Sequence, residues 1–440
     1  MAQPVFEEPR FGEGGTILPD PGNFAVKHLS DQTIYNQLDA TNALQHDVVS
    51  FDQSRLPDGA VYPLQNAFGA PGVDFVNSIS NSGKIIFHLV GDTGVTQAGK
   101  IYKNELTVAD QLSAESRAEK PEDCPAFLFH LGDVVYDFGE AEYYYDQFYD
   151  PFRNYARPIF ALPGNHDSFI VPGTVSADEP LRIFERNFCA TTPNITPEAK
   201  SLHRTAMMQP GVYFTLDAPY VRIIGLFSNS LEDPGVISSE NGQWPDVPDF
   251  QLSYLRAQLA KIRDEKYSGA VLIAVHHPPF TYQPPGNGKS SDHSGSPAML
   301  RQIDSICKEV GVYPHAFLSG HAHNYQRYTR TISFPNAAQD YEVPFIICGN
   351  GGHNASPLIL KDYRRLQDPN AGADVSYLEA QPAVTSKKLT IDYSDDYNYG
   401  YLRATVTQNQ LSITYTPTGR QGGKVPDTVT IDLASHRLVQ

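Results

Sequence analysis

Lys84-Ile85-Ile86-Phe87-His88-Leu89-Val90 is an apolar run that stops at Gly91-Asp92. The pattern returns twice: Ala126-Phe127-Leu128-Phe129-His130-Leu131 stops at Gly132-Asp133, and Pro158-Ile159-Phe160-Ala161-Leu162 stops at Gly164-Asn165-His166-Asp167. Apolar runs this short, bounded by glycine, read as strands buried on both faces. Residues 105–118 have helical spacing, and so does a Tyr-rich stretch reaching to about Tyr155. Strand, helix, strand, helix, strand is the signature of βαβ units and a parallel sheet.

Working outward, Val212 to Phe227 resembles a hairpin with Asp217-Ala218-Pro219 as its turn. Leu252, Leu255, Leu259 and Ile262 recur at helical spacing within 249–266. Ala270-Val271-Leu272-Ile273-Ala274-Val275 is a fourth buried strand and stops at His276-His277-Pro278-Pro279; Ala316-Phe317-Leu318 is a fifth and stops at Gly320-His321-Ala322-His323. A helix over about 297–310 lies between them. Near the C-terminus, 401–406 and 411–415 alternate as a hairpin does. Residues 1–80 are rich in Gly, Pro, Asp and Asn and lack periodicity, so they read as a partly irregular N-terminal extension. Residues 81–440 read as one domain that includes the C-terminal hairpin.

Each of the five strands ends in a loop carrying metal-type donors: Asp92, Asp133, Asn165, His276 and His321. Every gap between them is long enough for a crossover of about 30 residues. Open α/β sheets gather their ligands at the carboxyl ends of the strands, so five loops can converge on one site. Taken singly each motif is weak, because a Gly-Asp after a strand is commonly just a turn or a helix cap. The set is specific: carboxylate, amide and imidazole appear in one order, each behind an apolar strand.

With these residues the chain resembles the calcineurin-like metallophosphoesterases, and within them the purple acid phosphatases, over about residues 84–415. Most of that superfamily opens with Asp-x-His. Here the opening is Gly91-Asp92-Thr93-Gly94, and the histidine is missing. Gly132-Asp133-Val134-Val135-Tyr136 instead places a tyrosine three residues after the Asp, as the purple group does. The resemblance implies an α/β (α+β four-layer) fold, with a central β-sandwich flanked by α-helices. It implies a dimetal hydrolase of phosphate monoesters in which a metal-bound hydroxide attacks phosphorus. Asp92, Tyr136 and His323 would bind the first metal, Fe(III); Asn165, His276 and His321 would bind a second, divalent metal (Fe, Zn or Mn); Asp133 would bridge both. His276 is preferred to His277 on the family's His-x-Pro spacing, although His277 also precedes a proline. His166 and His293 are the expected catalytic residues: His166 donates to phosphoryl oxygens or the leaving group, with a supporting role behind a ligand as the alternative, and His293 faces the substrate, with a flexible loop histidine as the alternative. Arg327 is expected to support the His321/His323 loop, and His353 either reaches the pocket or decorates it. Rival readings are a phosphodiesterase or nucleotide-cleaving hydrolase on the same metals, and a metal-binding protein without turnover.

The bulk composition is consistent with this reading. Lys and Arg number 33 and Asp and Glu 50, a formal charge of -17 that argues against nucleic acid and anionic membranes as partners. A small phosphorylated substrate remains compatible, because three anionic ligands and a hydroxide against two cations leave about +1 at the site. Four cysteines with no C-x-x-C pair do not make a disulfide framework, though one bridge is possible. No signal-like or membrane-spanning apolar run is visible, so a cytoplasmic protein or a mature secreted form is expected. Oligomeric state, pH optimum and substrate are left open.

Overall fold

A computed structural model of the chain describes Val48 and residues 60–439, apart from 96–99, 119, 137, 170–179, 201, 203, 286–292 and 362–363. Most of the expected N-terminal extension lies outside the described residues. Its described part supplies a short strand, β1 (Val61–Pro63), and a helix, Gly72–Ser82.

Two mixed sheets carry the fold. In the first, β2 (Lys84–Val90), β3 (Leu128–His130) and β4 (Ile159–Ala161) lie side by side and parallel, as the βαβ reading requires. The second contains β5 (Phe214–Ala218), β6 (Val221–Leu226), β7 (Ala270–Val275) and β8 (Ala316–Ser319), with β6, β7 and β8 parallel. Its remaining strands are β1 at one edge and, beyond β8, β10 (Tyr341–Cys348), β9 (Tyr325–Ser333), β14 (Thr385–Asp395) and β13 (Ala373–Asp374). Between β10 and β13 in sequence, β11 (Leu360–Lys361) and β12 (Arg364–Arg365) pair only with each other. The first sheet is completed by β15 (Gly400–Thr407), antiparallel to β2, then β16 (Gln410–Pro417), β17 (Asp427–Asp432) and β18 (Arg437–Leu438). The C-terminal hairpin expected from the sequence is β15–β16.

The sheets face each other across one core. Phe129 and Phe160 of the first sheet set their rings 5.9 and 6.3 Å from Phe214 of the second. All of β7, and all of β2 after Lys84, is buried, which is why these strands read as unbroken apolar runs. The helix Lys100–Glu115 packs against β15 of the first sheet; Phe250–Asp264 packs on Pro297–Val310 and against β6 of the second. The result is a β-sandwich with helices on it, the architecture that the resemblance implies.

Two local expectations change. The Tyr-rich stretch forms a 3₁₀ turn, Ala141–Tyr143, and a π turn, Tyr145–Tyr149, rather than a long helix. Tyr143, Tyr144, Tyr145, Phe148, Tyr149, Phe152 and Tyr155 are all buried, so rings crowd every side and no solvent face is left for a regular amphipathic helix. Arg327 does not brace the His321/His323 loop. It pairs with Asp427 and Asp392, tying β9 to β17 and β14. The four cysteines are free, and no helix among the described residues is long and apolar enough to cross a membrane.

Glu115 fastens the helix Lys100–Glu115 to the first sheet. It accepts from His88, Tyr401 and Arg403 at 3.0, 2.5 and 2.5 Å. Burial would raise its carboxyl, but these three partners outweigh that and bring it down to about 2. A depressed carboxylate stabilises the fold above its unfolded pKa, and the benefit disappears as pH falls through the folded value. Glu115→Gln is therefore expected to cost about 2 kcal/mol at pH 7. The gap from the parent should close between about pH 4 and the folded value of about 2, as measured by urea melts across that range.

Candidate metal centre

The strand ends of β2, β3, β4, β7 and β8 meet at one edge of the sandwich, and the five loops are stitched to one another. Asp92 N–H donates to Gly132 C=O at 3.0 Å, and Gly320 N–H to His276 C=O at 3.0 Å. The His321 N–H reaches both oxygens of Asp92, at 3.1 and 2.9 Å. The N–H groups of Val134, Val135 and Gly164 all converge on the buried carboxylate of Asp167, which locks the second loop to the third.

Backbone conformation aims the side chains. Asp92, Asp133 and His321 sit at φ 57, 54 and 67°, a region that costs a non-glycine residue about 1–3 kcal/mol and clusters at functional sites. The glycines before them allow the close approach. Gly132 itself has φ +108°, and a Cβ there would lie 2.4 Å from His276 Nδ1. At Gly164 a Cβ would lie 2.0 Å from Asp133 Oδ1. No larger residue fits either position while those ligands stay in place.

All seven expected ligands come together. Asp92, Asp133 and His323 present donor atoms within 4.8 Å of one another, and so do Asp133, His276 and His321, so Asp133 belongs to both groups. The Tyr136 hydroxyl joins the first group, 3.1 Å from Asp92 Oδ1 and 3.2 Å from His323 Nε2. Asn165 Oδ1 joins the second, 3.0 Å from His276 Nε2 and 3.1 Å from His321 Nδ1. His276 turns inward to Asp133 at 3.3 Å, whereas His277 turns away to Ser228 Oγ and Leu231 C=O, at 2.7 and 2.8 Å. That separates the two histidines, which share the proline context.

The expected catalytic histidines flank these groups. The His166 ring lies 4.2 Å from that of Tyr136, and the His166 backbone N–H donates to Asp133 Oδ1 at 3.0 Å. The His293 ring lies 4.1 Å from His321 and 5.6 Å from His323, despite its distance in sequence from the His276 strand. His353 reaches the site: its ring stacks on Tyr136 at 3.6 Å, and its Nδ1 is 2.8 Å from Gly94 C=O. Three acidic residues went unassigned in the sequence. Glu232 and Asp233 approach Asn165, His293 and His321, and Asp167 sits behind the loops. For the first two a signal existed, because Leu231-Glu232-Asp233-Pro234 follows β6, whose end lies beside that of β7.

Electrostatics mark the place as one built for positive charge. Burial and the neighbouring Asp133 hold the Asp92 carboxyl well above its usual range. Burial opposes ionisation of Asp133 too, but the imidazoles of His276 and His166 bring it below the ordinary carboxylate value. Burial likewise works against the His276 imidazolium, and the Asp133 and Asp92 charges overcome it to raise that group to about 9. The Tyr136 phenol is pushed up by burial and by both carboxylates. Asp133 Oδ2 is buried without a hydrogen-bonding partner, an arrangement that costs about 1–3 kcal/mol unless another species satisfies it. A donor set of two carboxylates, phenol, amide and three imidazoles around such an orphaned atom fits a pair of cations. The carboxylates and phenol suit a hard ion, and the imidazoles and amide suit a divalent one.

A family model for calcineurin-like phosphoesterases matches residues 86–325. No curated protein matches the chain. Among solved structures, a purple acid phosphatase from yellow lupin (Lupinus luteus) seeds is similar at 14% identity and TM-score 0.49, covering 80% of this chain and 54% of its own. The chain thus spans about half the length of that lupin protein. A structure of PhoD is similar at 13% identity and TM-score 0.46, covering 81% of this chain and 72% of its own.

Proposed function

The chain belongs to the calcineurin-like phosphoesterase family, and from that premise we propose that it is a dimetal hydrolase of phosphate monoesters acting on a small phosphorylated substrate. The observation that carries this reading is the sharing of Asp133 between two groups of donors. Asp92, Tyr136 and His323 complete a site suited to Fe(III); Asn165, His276 and His321 complete one suited to divalent Fe, Zn or Mn. Residues 81–440 form the catalytic domain in this reading.

Two cations held here would lower the pKa of water, orient the ester and stabilise both apical oxygens of an in-line displacement. The protein residues do the rest. Asp133 sets the spacing of the two groups, and its carboxylate is itself held by the His166 N–H. The His166 and His293 side chains supply hydrogen bonds to phosphoryl oxygens and the leaving group. Burial and the neighbouring His166 push His353 down to about 4, so it stays neutral. With its Nδ1 proton given to Gly94 C=O, it stacks on Tyr136 and holds that ring toward the first group.

Rates on aryl phosphate monoesters and diesters test the proposal. Monoesters are expected to be cleaved faster, and a diester preference above about tenfold would move the protein to the phosphodiesterase or nucleotide-cleaving reading. A visible spectrum with metal analysis on the same sample tests the iron assignment. A violet to pink band with two metals, one of them iron, is expected from a Tyr136 phenolate on Fe(III). A colourless protein with two divalent metals would keep the phosphoesterase and remove it from the purple group.

A further inference from the structure

We propose that Glu232 and Asp233 are positioning residues for the second, divalent cation: Glu232 fixes which face of the Asn165 amide points inward, and Asp233 fixes which nitrogen of His321 carries the proton. The inference rests on the dimetal reading above and goes beyond its seven ligands.

An asparagine amide has nearly the same shape when flipped, yet only the oxygen can coordinate a cation. Glu232 Oε2 lies 3.2 Å from Asn165 Nδ2 and accepts its hydrogen bond. That contact forces Oδ1 to face His276 Nε2 and His321 Nδ1. Without it, the NH₂ group could turn inward and place two donors where lone pairs are needed. For His321 the logic is the same. If Nδ1 gives its lone pair to the cation, the ring proton must sit on Nε2 and requires an acceptor. Asp233 Oδ1 lies 3.6 Å from that nitrogen, and both atoms are buried without a hydrogen-bonding partner. At 3.6 Å the hydrogen bond is not formed; a closure of about half an ångström makes it. The same two carboxylates also face His293, whose Nδ1 is 3.6 Å from Glu232 Oε1 and 3.8 Å from Asp233 Oδ2.

The loop that carries the pair is held by the neighbour of a ligand. His277, next to His276, binds Leu231 C=O through Nε2 and Ser228 Oγ through Nδ1. The Gly235 N–H donates to Ser296 Oγ at 2.6 Å, and the Val236 N–H to Ser228 C=O at 2.8 Å. Leu231 and Val236 are fully buried with Val247 in a small apolar cluster. The His276-His277 doublet thus has two tasks: the first histidine faces the site, and the second fastens the loop that orients two other ligands. Asp233, His293 and His321 also lie close enough to hold an ion of their own. That arrangement would need His321 to serve two cations with both nitrogens deprotonated, whereas a protonated Nε2 facing a carboxylate asks for nothing unusual.

The test is a stepwise zinc titration of the full-length, metal-stripped protein against a chromogenic chelator, for the parent and for Glu232→Ala, Glu232→Gln, Asp233→Ala and Asp233→Asn. The parent is expected to bind two ions. Each alanine variant should weaken the second binding step by about 10- to 100-fold and leave the first unchanged. The glutamine and asparagine variants, which keep an acceptor oxygen, should recover most of that loss. An intact first step shows that the fold survives. If both alanine variants bind the second zinc as the parent does, the positioning role is overturned while the dimetal reading stands. A parent that binds three ions, with Asp233→Ala losing only the third, overturns it in favour of a separate cation site. A parent that binds no pair of ions overturns the dimetal reading itself, and this inference with it.

Discussion

Replacing Asp133 by asparagine is expected to reduce phosphate release by at least about a thousandfold, with both metals lost from the purified protein. Among the described residues Asp133 alone belongs to both donor groups, and it is 1% exposed. The substitution is nearly isosteric, so the φ of 54° and the hydrogen bond from the His166 N–H can persist. It removes one negative charge between two cations, and it puts an amide NH₂ where one of two lone-pair donors is required. Turnover and metal content measured on the same preparation check this. Unaltered turnover would falsify the proposed site, and loss of turnover with both metals retained would make Asp133 a catalytic group instead of a bridge.

The second large effect is expected from removing metal while leaving the chain unchanged. Dialysis against a strong chelator should bring hydrolysis to the rate of buffer, and readdition of iron with zinc or manganese should restore it. The fold should weaken at the same time, because an ion present at 1,000 times its dissociation constant contributes about 4.1 kcal/mol of linkage. In the stripped protein Asp92 and Asp133 face each other while buried, and Asp133 Oδ2 lacks a partner. Thermal melts before and after chelation, read beside activity, measure both consequences. Full activity in chelator with no metal bound would leave the convergence of these ligands without a chemical purpose.

Much of this was legible in the sequence because burial and function leave marks at short range. A strand buried on both faces must be apolar throughout, so β2 and β7 announced themselves as runs, and the glycines that stop them marked where the backbone turns back on itself. The missing histidine after Asp92 and the tyrosine after Asp133 could be read as one exchange, and the Tyr136 hydroxyl indeed lies 3.1 Å from Asp92 Oδ1. What was illegible depended on contacts between distant segments. Strand β9, Tyr-Gln-Arg-Tyr-Thr-Arg-Thr-Ile-Ser, has no apolar run, because its polar side chains find partners in distant segments; Arg330, fully buried, pairs with Asp304 of the helix Pro297–Val310 and with Glu379. The Tyr-rich segment failed as a helix because its rings face the core on every side.

The sequence by itself determined which residue types stand at each strand end, and in what order. Those facts are local, set by the alternation of apolar runs and glycine turns. Only the tertiary structure decided that His277 turns away to Ser228 and Leu231, that His353 and His293 reach the site, and that Glu232 and Asp233 stand behind Asn165 and His321. Neighbouring residues at a strand end point in opposite directions, and loops from two different sheets meet only when the sandwich closes. The identity of a side chain's partner in a distant segment is therefore a property of the packing of the sheets.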